Sequence, residues 1–208
     1  MTLTGAVIAG VVLAGGRSSR MGGRDKAFLE LGGQPLVARA AERLRPQVAA
    51  LAISANADPA LFAALGLPVL ADAMPGYPGP LAGILAALDW AAGQGAGRVV
   101  TVAVDTPFFP SDLVARLGQR ADRAPVVLAA TVDGGGAVRP HATFGLWDVA
   151  RRDDLRTALA HGTRKVSDWA MAQGAELVVF EAGEADPFFN VNTPDDLRAA
   201  RALAGATG

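Results

Sequence analysis

The chain has 208 residues with 19 basic and 20 acidic side chains, a formal charge of −1, and 51% apolar residues. That balance argues against disorder and against a chain that lives on nucleic-acid phosphates, which carries a clear basic excess. Cysteine is absent and only two histidines occur, His141 and His161, so disulfides, thiolate nucleophiles, zinc ribbons, iron–sulfur clusters and histidine-rich metal sites are excluded.

Residues 6–14 read as a buried first strand, too short to span a bilayer and without the basic flank of a signal peptide. A cytoplasmic protein with no membrane segment is expected. The strand stops at Gly15-Gly16, and a loop bearing Arg17, Arg20, Arg24 and Lys26 follows. Glycine lets the main chain approach phosphate oxygens and adopt positive φ, so successive N–H groups can face one anion-binding concavity. The spacing is neither a Walker A loop nor a dinucleotide fingerprint. Lys26 and Lys165 are the only lysines in a chain that otherwise uses arginine, and lysine is a compact point charge where arginine is a planar fork.

Pro35 opens a helix with Leu36, Val37, Ala40 and Leu44 on one face, which Pro46 stops. Residues 48–53 form a second strand, Pro59–Leu65 a short helix and residues 67–70 a third strand. Pro80 starts a helix with Leu81, Ile84, Leu85 and Leu88 at i, i+3, i+4, i+7 spacing. Residues 98–104 make the central strand, because Val99, Val100, Val102 and Val104 leave no polar face. Ser111 is expected to cap a helix through Gln119. Residues 126–130 return to strand, then the Asp133-Gly134-Gly135-Gly136 turn leads into a strand through Phe144. A helical part spans 147–171, and 177–180 is a late strand. Thr193 caps the final helix, with Pro194 at its first position and Asp195 and Asp196 in the first turn, where the macrodipole favours acids. The alternation predicts an α/β fold whose mostly parallel sheet is flanked by helices, in one domain over 1–208.

Ligands of open α/β sheets collect outside the carboxyl ends of the strands. The glycine loop follows the first strand, Ser54 and Asn56 the second, Asp72 the third and Asp105 the central one. Asp105, in Val104-Asp105-Thr106-Pro107, is placed to hold Mg²⁺, a hard cation that takes oxygen ligands; the competing reading is an Asx-turn ahead of Pro107. Tyr77-Pro78-Gly79-Pro80-Leu81-Ala82-Gly83 joins a tight turn to a helix N-terminus, where Gly79 and Gly83 would admit a flat base against the backbone. Asn190 and Asn192 put two amides just before the last helix. His141 fits a hydrogen-bonded structural histidine, and His161 beside Gly162 a helix end.

Leu13-Ala14-Gly15-Gly16, then Arg20-Met21-Gly22 and Asp25-Lys26, with Asp72, Gly79-Pro80-Leu81-Ala82-Gly83, Asp105-Thr106-Pro107 and Asn190-Val191-Asn192-Thr193-Pro194, resemble nearly end to end the molybdenum cofactor guanylyltransferases, within the wider nucleoside-triphosphate transferases. The Leu-Ala-Gly-Gly form is the one associated with guanylyl transfer; cytidylyl relatives tend to show Leu-Ala-Ala-Gly. The resemblance implies a single-domain three-layer αβα Rossmann-like fold of the nucleotide-diphospho-sugar transferase type. It further implies GTP and molybdopterin as substrates and Mg²⁺ on Asp105. Lys26 and Arg20 would offset charge on the α-phosphate and the leaving group. Nucleotide contacts are implied at Leu13, Ala14, Gly15, Gly16, Lys26, Ser54, Asp72, Gly79, Gly83 and Asp105, and acceptor contacts at Asn190, Asn192 and His141. Molybdenum-insertion proteins and apo-molybdoenzymes are the implied protein partners; nucleic acid and membrane are not. Ser54 stands where the family often has asparagine, and His141-Ala142-Thr143 where it has His-Pro-Thr. The alternatives are a cytidylyl- or sugar-nucleotidyltransferase of the same fold, or a non-catalytic carrier of GTP and molybdopterin.

Overall fold

The structure, a computed structural model, describes residues 7–15, 25–72, 79–181 and 186–206. In chain order the elements are β1 (Ile8–Leu13), a small hairpin of β2 (Glu30–Leu31) and β3 (Gln34–Pro35), α1 (Leu36–Leu44), β4 (Ala50–Ser54), β5 (Val69–Leu70), α2 (Pro80–Gly93), β6 (Arg98–Ala103), α3 (Leu113–Gly118), β7 (Val126–Val132), β8 (Val138–Asp148), α4 (Arg152–Ala160), α5 (Val166–Ala172), β9 (Glu176–Val179) and α6 (Pro194–Ala206).

One seven-stranded sheet runs β5-β4-β1-β6-β8-β7-β9, with β6 in the middle. Every pairing is parallel except the two made by β8, which is antiparallel to both β6 and β7. The carboxyl ends of β5, β4, β1 and β6 therefore share one edge. Apolar residues on both sides of each central strand explain the layering. Val12, Ile53, Val100 and Val102 join a core with Leu36 and Leu44 of α1, Leu113 and Leu117 of α3 and Ala200 of α6. Ala9, Val11, Leu13 and Val99 pack the other way, against Leu81, Leu85 and Leu88 of α2, Leu155 of α4 and Val166 of α5. Two helical layers thus enclose the sheet. Full burial of each such leucine is worth about 1.5–3 kcal/mol relative to exposure.

Pro59–Leu65 is a short helix as expected, of the 3₁₀ type, entered through Asp58, whose carboxylate accepts from the Ala60 N–H, and ended at Gly66 with φ 59°. Three local readings change. Ser111 does not cap α3. The Leu113 N–H bonds back to Pro110 O at 3.2 Å, so Ser111 lies inside that turn, and the helix starts after Asp112 with no side-chain cap. The strand expected to end at Phe144 continues to Asp148, which moves Trp147 from helix to sheet. The reason is tertiary: β6 offers an antiparallel partner through Val99↔Trp147 and Thr101↔Gly145, and the indole is fully buried there. Thr101, finally, is a polar residue in the strand read as wholly apolar, and it is fully buried. Its hydroxyl donates to Thr143 O at 2.8 Å and accepts from Trp147 Nε1 at 2.9 Å, so burial leaves neither group unpaired. No helix among the described residues is long and apolar enough to cross a membrane.

Candidate active site

Backbone bonds carry the ladders past the ends of the strands. The Ala14 N–H bonds to Ser54 O at 2.8 Å and the Val104 N–H to Leu13 O at 3.1 Å, so the chain segments leaving β1 and β6 exit side by side. Leu13 and Ala14 are buried and Gly15 is exposed. Lys26 opens a single 3₁₀ turn, Lys26–Phe28, capped by Asp25 Oδ1, which accepts from the Ala27 N–H at 3.0 Å. Ala27 is fully buried and Phe28 packs on Phe62 with ring centroids 5.1 Å apart, which anchors the turn to the core.

From that turn Lys26 Nζ reaches Asp105 Oδ2 at 3.2 Å and donates to Asn192 Oδ1 at 2.6 Å. The Lys26 and Asp105 side chains are 22% and 24% exposed, shielded yet open to a ligand. The segment that delivers Asn192 is tied to the same strand end. The Val191 N–H bonds to Asp105 O at 2.7 Å with Val191 fully buried, and the Thr106 hydroxyl donates to Asn190 Oδ1. Both the Asn192 and Thr193 N–H groups donate to Asp196 Oδ2, at 2.9 and 2.8 Å, and the Asp196 N–H donates to Thr193 Oγ1 at 3.1 Å. The Asn192 N–H foremost, then Thr193 and the charge of Lys26, hold the Asp196 carboxyl below the ordinary carboxylate range, against an opposing effect of desolvation.

Beside this cluster, at the ends of β4 and β5, Asn56 and Asp72 lock together: the Asp72 N–H donates to Asn56 Oδ1 at 2.9 Å, and Asn56 Nδ2 to Asp72 Oδ2 at 2.6 Å. Gly79 takes φ 139° immediately before Pro80, the first residue of α2, so the positive end of a 14-residue helix faces the same edge. Gly83 and Ser54 pack against one another. Both are buried, and a Cβ on Gly83 would lie 2.9 Å from Ser54 Oγ and 3.2 Å from Leu13 Cδ2. The missing side chain lets α2 sit close on the sheet.

A cleft of about 410 Å³ opens next to the cluster, lined among others by Pro80, His141, Thr143, Lys165, Ser167 and Asn190. His141 is engaged from two sides: Nε2 shares a 2.9 Å hydrogen bond with Thr131 Oγ1, and the ring stacks on Phe188 at 4.2 Å. Burial pushes its imidazole below the usual value, with nearby Asp186 pulling the other way. The folded chain thus holds His141 neutral where an unfolded histidine, with a pKa of about 6.5, takes up a proton. This contribution to stability is complete above about pH 6.5 and is lost as the pH falls through the lower folded value. Thermal unfolding scans between about pH 7 and 5 are expected to show a steeper loss in the native chain than in His141→Phe, which keeps the stack but cannot titrate. Parallel curves would remove His141 from the acid limb.

The structure thus brings Lys26, Asp105, Asn190 and Asn192 into one hydrogen-bonded cluster, places Asp72 and Gly79 on the same edge, and puts His141 in the adjoining cleft. Gly16 and Arg20 lie outside the described residues, as do Arg17, Arg24, Tyr77 and Pro78. Sequence reasoning gave Asp196 only a place in the first turn of the last helix, and the Thr-x-x-acid spacing of a capping box was the available signal for its bonds back to the preceding segment. It flagged Lys165 by rarity without giving it a place. Among the described residues no group of three or more His, Cys, Asp or Glu could hold a metal ion. A single part-exposed carboxylate, Asp105, still suits Mg²⁺, which characteristically takes one or two carboxylates and completes its shell with water and substrate phosphates.

Residues 10–176 match the family described as the MobA-like NTP transferase domain. The chain is 50% identical over 194 residues to a molybdenum cofactor guanylyltransferase of Cereibacter sphaeroides, spanning 93% of this chain and 95% of that protein. It is 48% identical over 206 residues to another of that name from Mesorhizobium japonicum, spanning 96% and 98%. In three dimensions it superposes on the molybdopterin-guanine dinucleotide biosynthesis protein A of Archaeoglobus fulgidus with a TM-score of 0.72 at 23% identity, over 95% of this chain and 99% of that one, a likeness of fold.

Proposed function

The chain belongs to the MobA-like NTP transferase family, and on that premise we propose that it transfers GMP from GTP to the terminal phosphate of molybdopterin. The products are molybdopterin guanine dinucleotide and pyrophosphate. The observation that carries the reading is Lys26 held between Asp105 and Asn192 at the carboxyl edge of the sheet, in a chain about half identical to curated guanylyltransferases.

A phosphate oxygen of the acceptor attacks the α-phosphorus of GTP. One P–O bond forms, the bond from the α-phosphorus to the oxygen bridging to the β-phosphate breaks, and pyrophosphate leaves with that electron pair. No general base is needed, because a phosphate monoester with a second pKa near ~6 is already ionised at neutral pH. Catalysis then rests on positioning and on charge aimed at the phosphates. Lys26 supplies a cation beside the α- and β-phosphates, and Arg20 is the second candidate on sequence grounds. The positive end of α2 faces the same edge. Mg²⁺ held by Asp105 would neutralise phosphate charge there.

Asp72, oriented by Asn56, supports selection of guanine. A carboxylate accepts from two adjacent donors, and guanine, with N1–H beside its exocyclic amine, offers that edge where cytosine and adenine do not. Lys165, Asn190 and His141 line the cleft that would receive the acceptor. GTP supply supports a cytoplasmic location, with molybdenum-insertion proteins upstream of the reaction and apo-molybdoenzymes downstream.

The test is pterin-dependent pyrophosphate release from GTP, CTP, ATP and UTP with Mg²⁺, repeated after chelation. Release from GTP alone, abolished by chelation, is expected. Release from CTP would make this a cytidylyl transferase of the same fold, and no release from any nucleotide would favour a carrier.

A further inference from the structure

We propose that Asp196 is a positioning residue for Lys26: its carboxylate fixes the main chain of Asn192, so that the Asn192 amide oxygen and Asp105 hold the ammonium from two sides. The inference rests on the reading above, in which Lys26 carries phosphate charge. A lysine side chain has four carbons of freedom and a strongly hydrated head, so it points at a ligand only when neighbours constrain it. Its shortest contact here is with neutral Asn192, at 2.6 Å against 3.2 Å to Asp105. An amide oxygen directs the ammonium without cancelling its charge.

Asn192 owes its own place to Asp196. In an ordinary capping box the acid at the third helical position accepts only the N–H of the capping residue. Here one oxygen accepts two successive N–H groups, Asn192 at 2.9 Å and Thr193 at 2.8 Å, which pins the intervening peptide plane. The neighbouring acid does something else. Asp195 is exposed and pairs with Arg198 along the helix, so it serves the helix end alone. Asp196 is the first-turn acid turned back toward the site.

The chain makes the test unusually clean, because Lys26 and Lys165 are its only lysines and Lys165 is 78% exposed. In full-length protein labelled at lysine, two ammonium resonances are expected by NMR: a hydrogen-bonded one from Lys26 and a solvent-like one from Lys165. Asp196→Ala is expected to move the Lys26 signal toward that of Lys165. It should also lower kcat by about 10- to 100-fold, the usual cost of losing an outer supporting contact, with little change in the KM for GTP. Asp196→Glu should restore both. Thr193→Ala and Asp195→Ala weaken the same helix end but keep the Asp196–Asn192 bond, so both readouts should survive in them. If the alanine variant does not fold, Asp196→Asn is read in its place, with a smaller shift in the same direction. An unmoved Lys26 signal in Asp196→Ala, or an equal kcat loss in Thr193→Ala, would overturn the proposal. Full turnover in Lys26→Ala would instead remove the reading beneath it and leave the NMR result standing.

Discussion

Asp105→Ala is expected to lower the rate of GMP transfer by about three orders of magnitude or more. Loss of an interaction worth several kcal/mol in the transition state has that size, at ~1.36 kcal/mol per tenfold. The effect should fall on chemistry and not on folding. The main-chain oxygen of Asp105, which holds the Val191 N–H at 2.7 Å, is untouched by the substitution, so the Asn190–Asn192 segment stays docked. The side chain itself is 24% exposed and fills no core position. Asp105→Asn separates charge from shape: it keeps a similar oxygen near Lys26 but loses the carboxylate that suits a hard cation, and it should raise the Mg²⁺ concentration needed for half-maximal rate. Single-turnover measurements at saturating GTP, with a thermal scan of the same samples, read both. An Asp105→Asn enzyme with an unchanged metal titration would return Asp105 to the role of an Asx-turn before Pro107.

Lys26→Ala is expected to cost about 10²- to 10³-fold in kcat, the range seen when one preorganised charge-stabilising donor is removed. The ammonium lies 3.2 Å from Asp105 and 2.6 Å from Asn192 at a strand edge, where it would meet the phosphate charge of the proposed substrate with little reorganisation. Arginine should not substitute for it. A planar guanidinium is wider and distributes its donors in a fork, and the gap between Asp105 Oδ2 and Asn192 Oδ1 is filled by a single nitrogen. Lys26→Arg is therefore expected to stay within tenfold of the alanine variant when kcat is compared at saturating GTP. Near-native turnover in either variant would take Lys26 out of the mechanism.

The sheet was legible because its strands are apolar on both faces, as Val99, Val100 and Val102 in β6 illustrate, and because helices with a clear 3.6-residue stripe separate them. Asp105 and Asp72 could be placed because each follows such a strand. The partnership of Lys26 with Asn192 could not, since 166 positions separate the two and the backbone bond from Val191 to Asp105 is what brings the Asn192 segment to the end of β6. The close approach of Ser54 and Gly83 was hidden for a related reason: which helix covers a strand end is set by tertiary packing, and Gly83 of α2 lies over Ser54. Trp147 went to a helix because local pattern carries no information about the free edge of β6 that captures it.

The central claim is that the α-phosphate of GTP, with its guanosine, is transferred to a pterin phosphate. Incubating the protein with molybdopterin and GTP labelled either at the α- or the γ-phosphate tests it most directly. α-Label is expected in a pterin dinucleotide and γ-label in pyrophosphate, in equal amounts. Label from the γ-position in the pterin, or no transfer of label from either position, would contradict it.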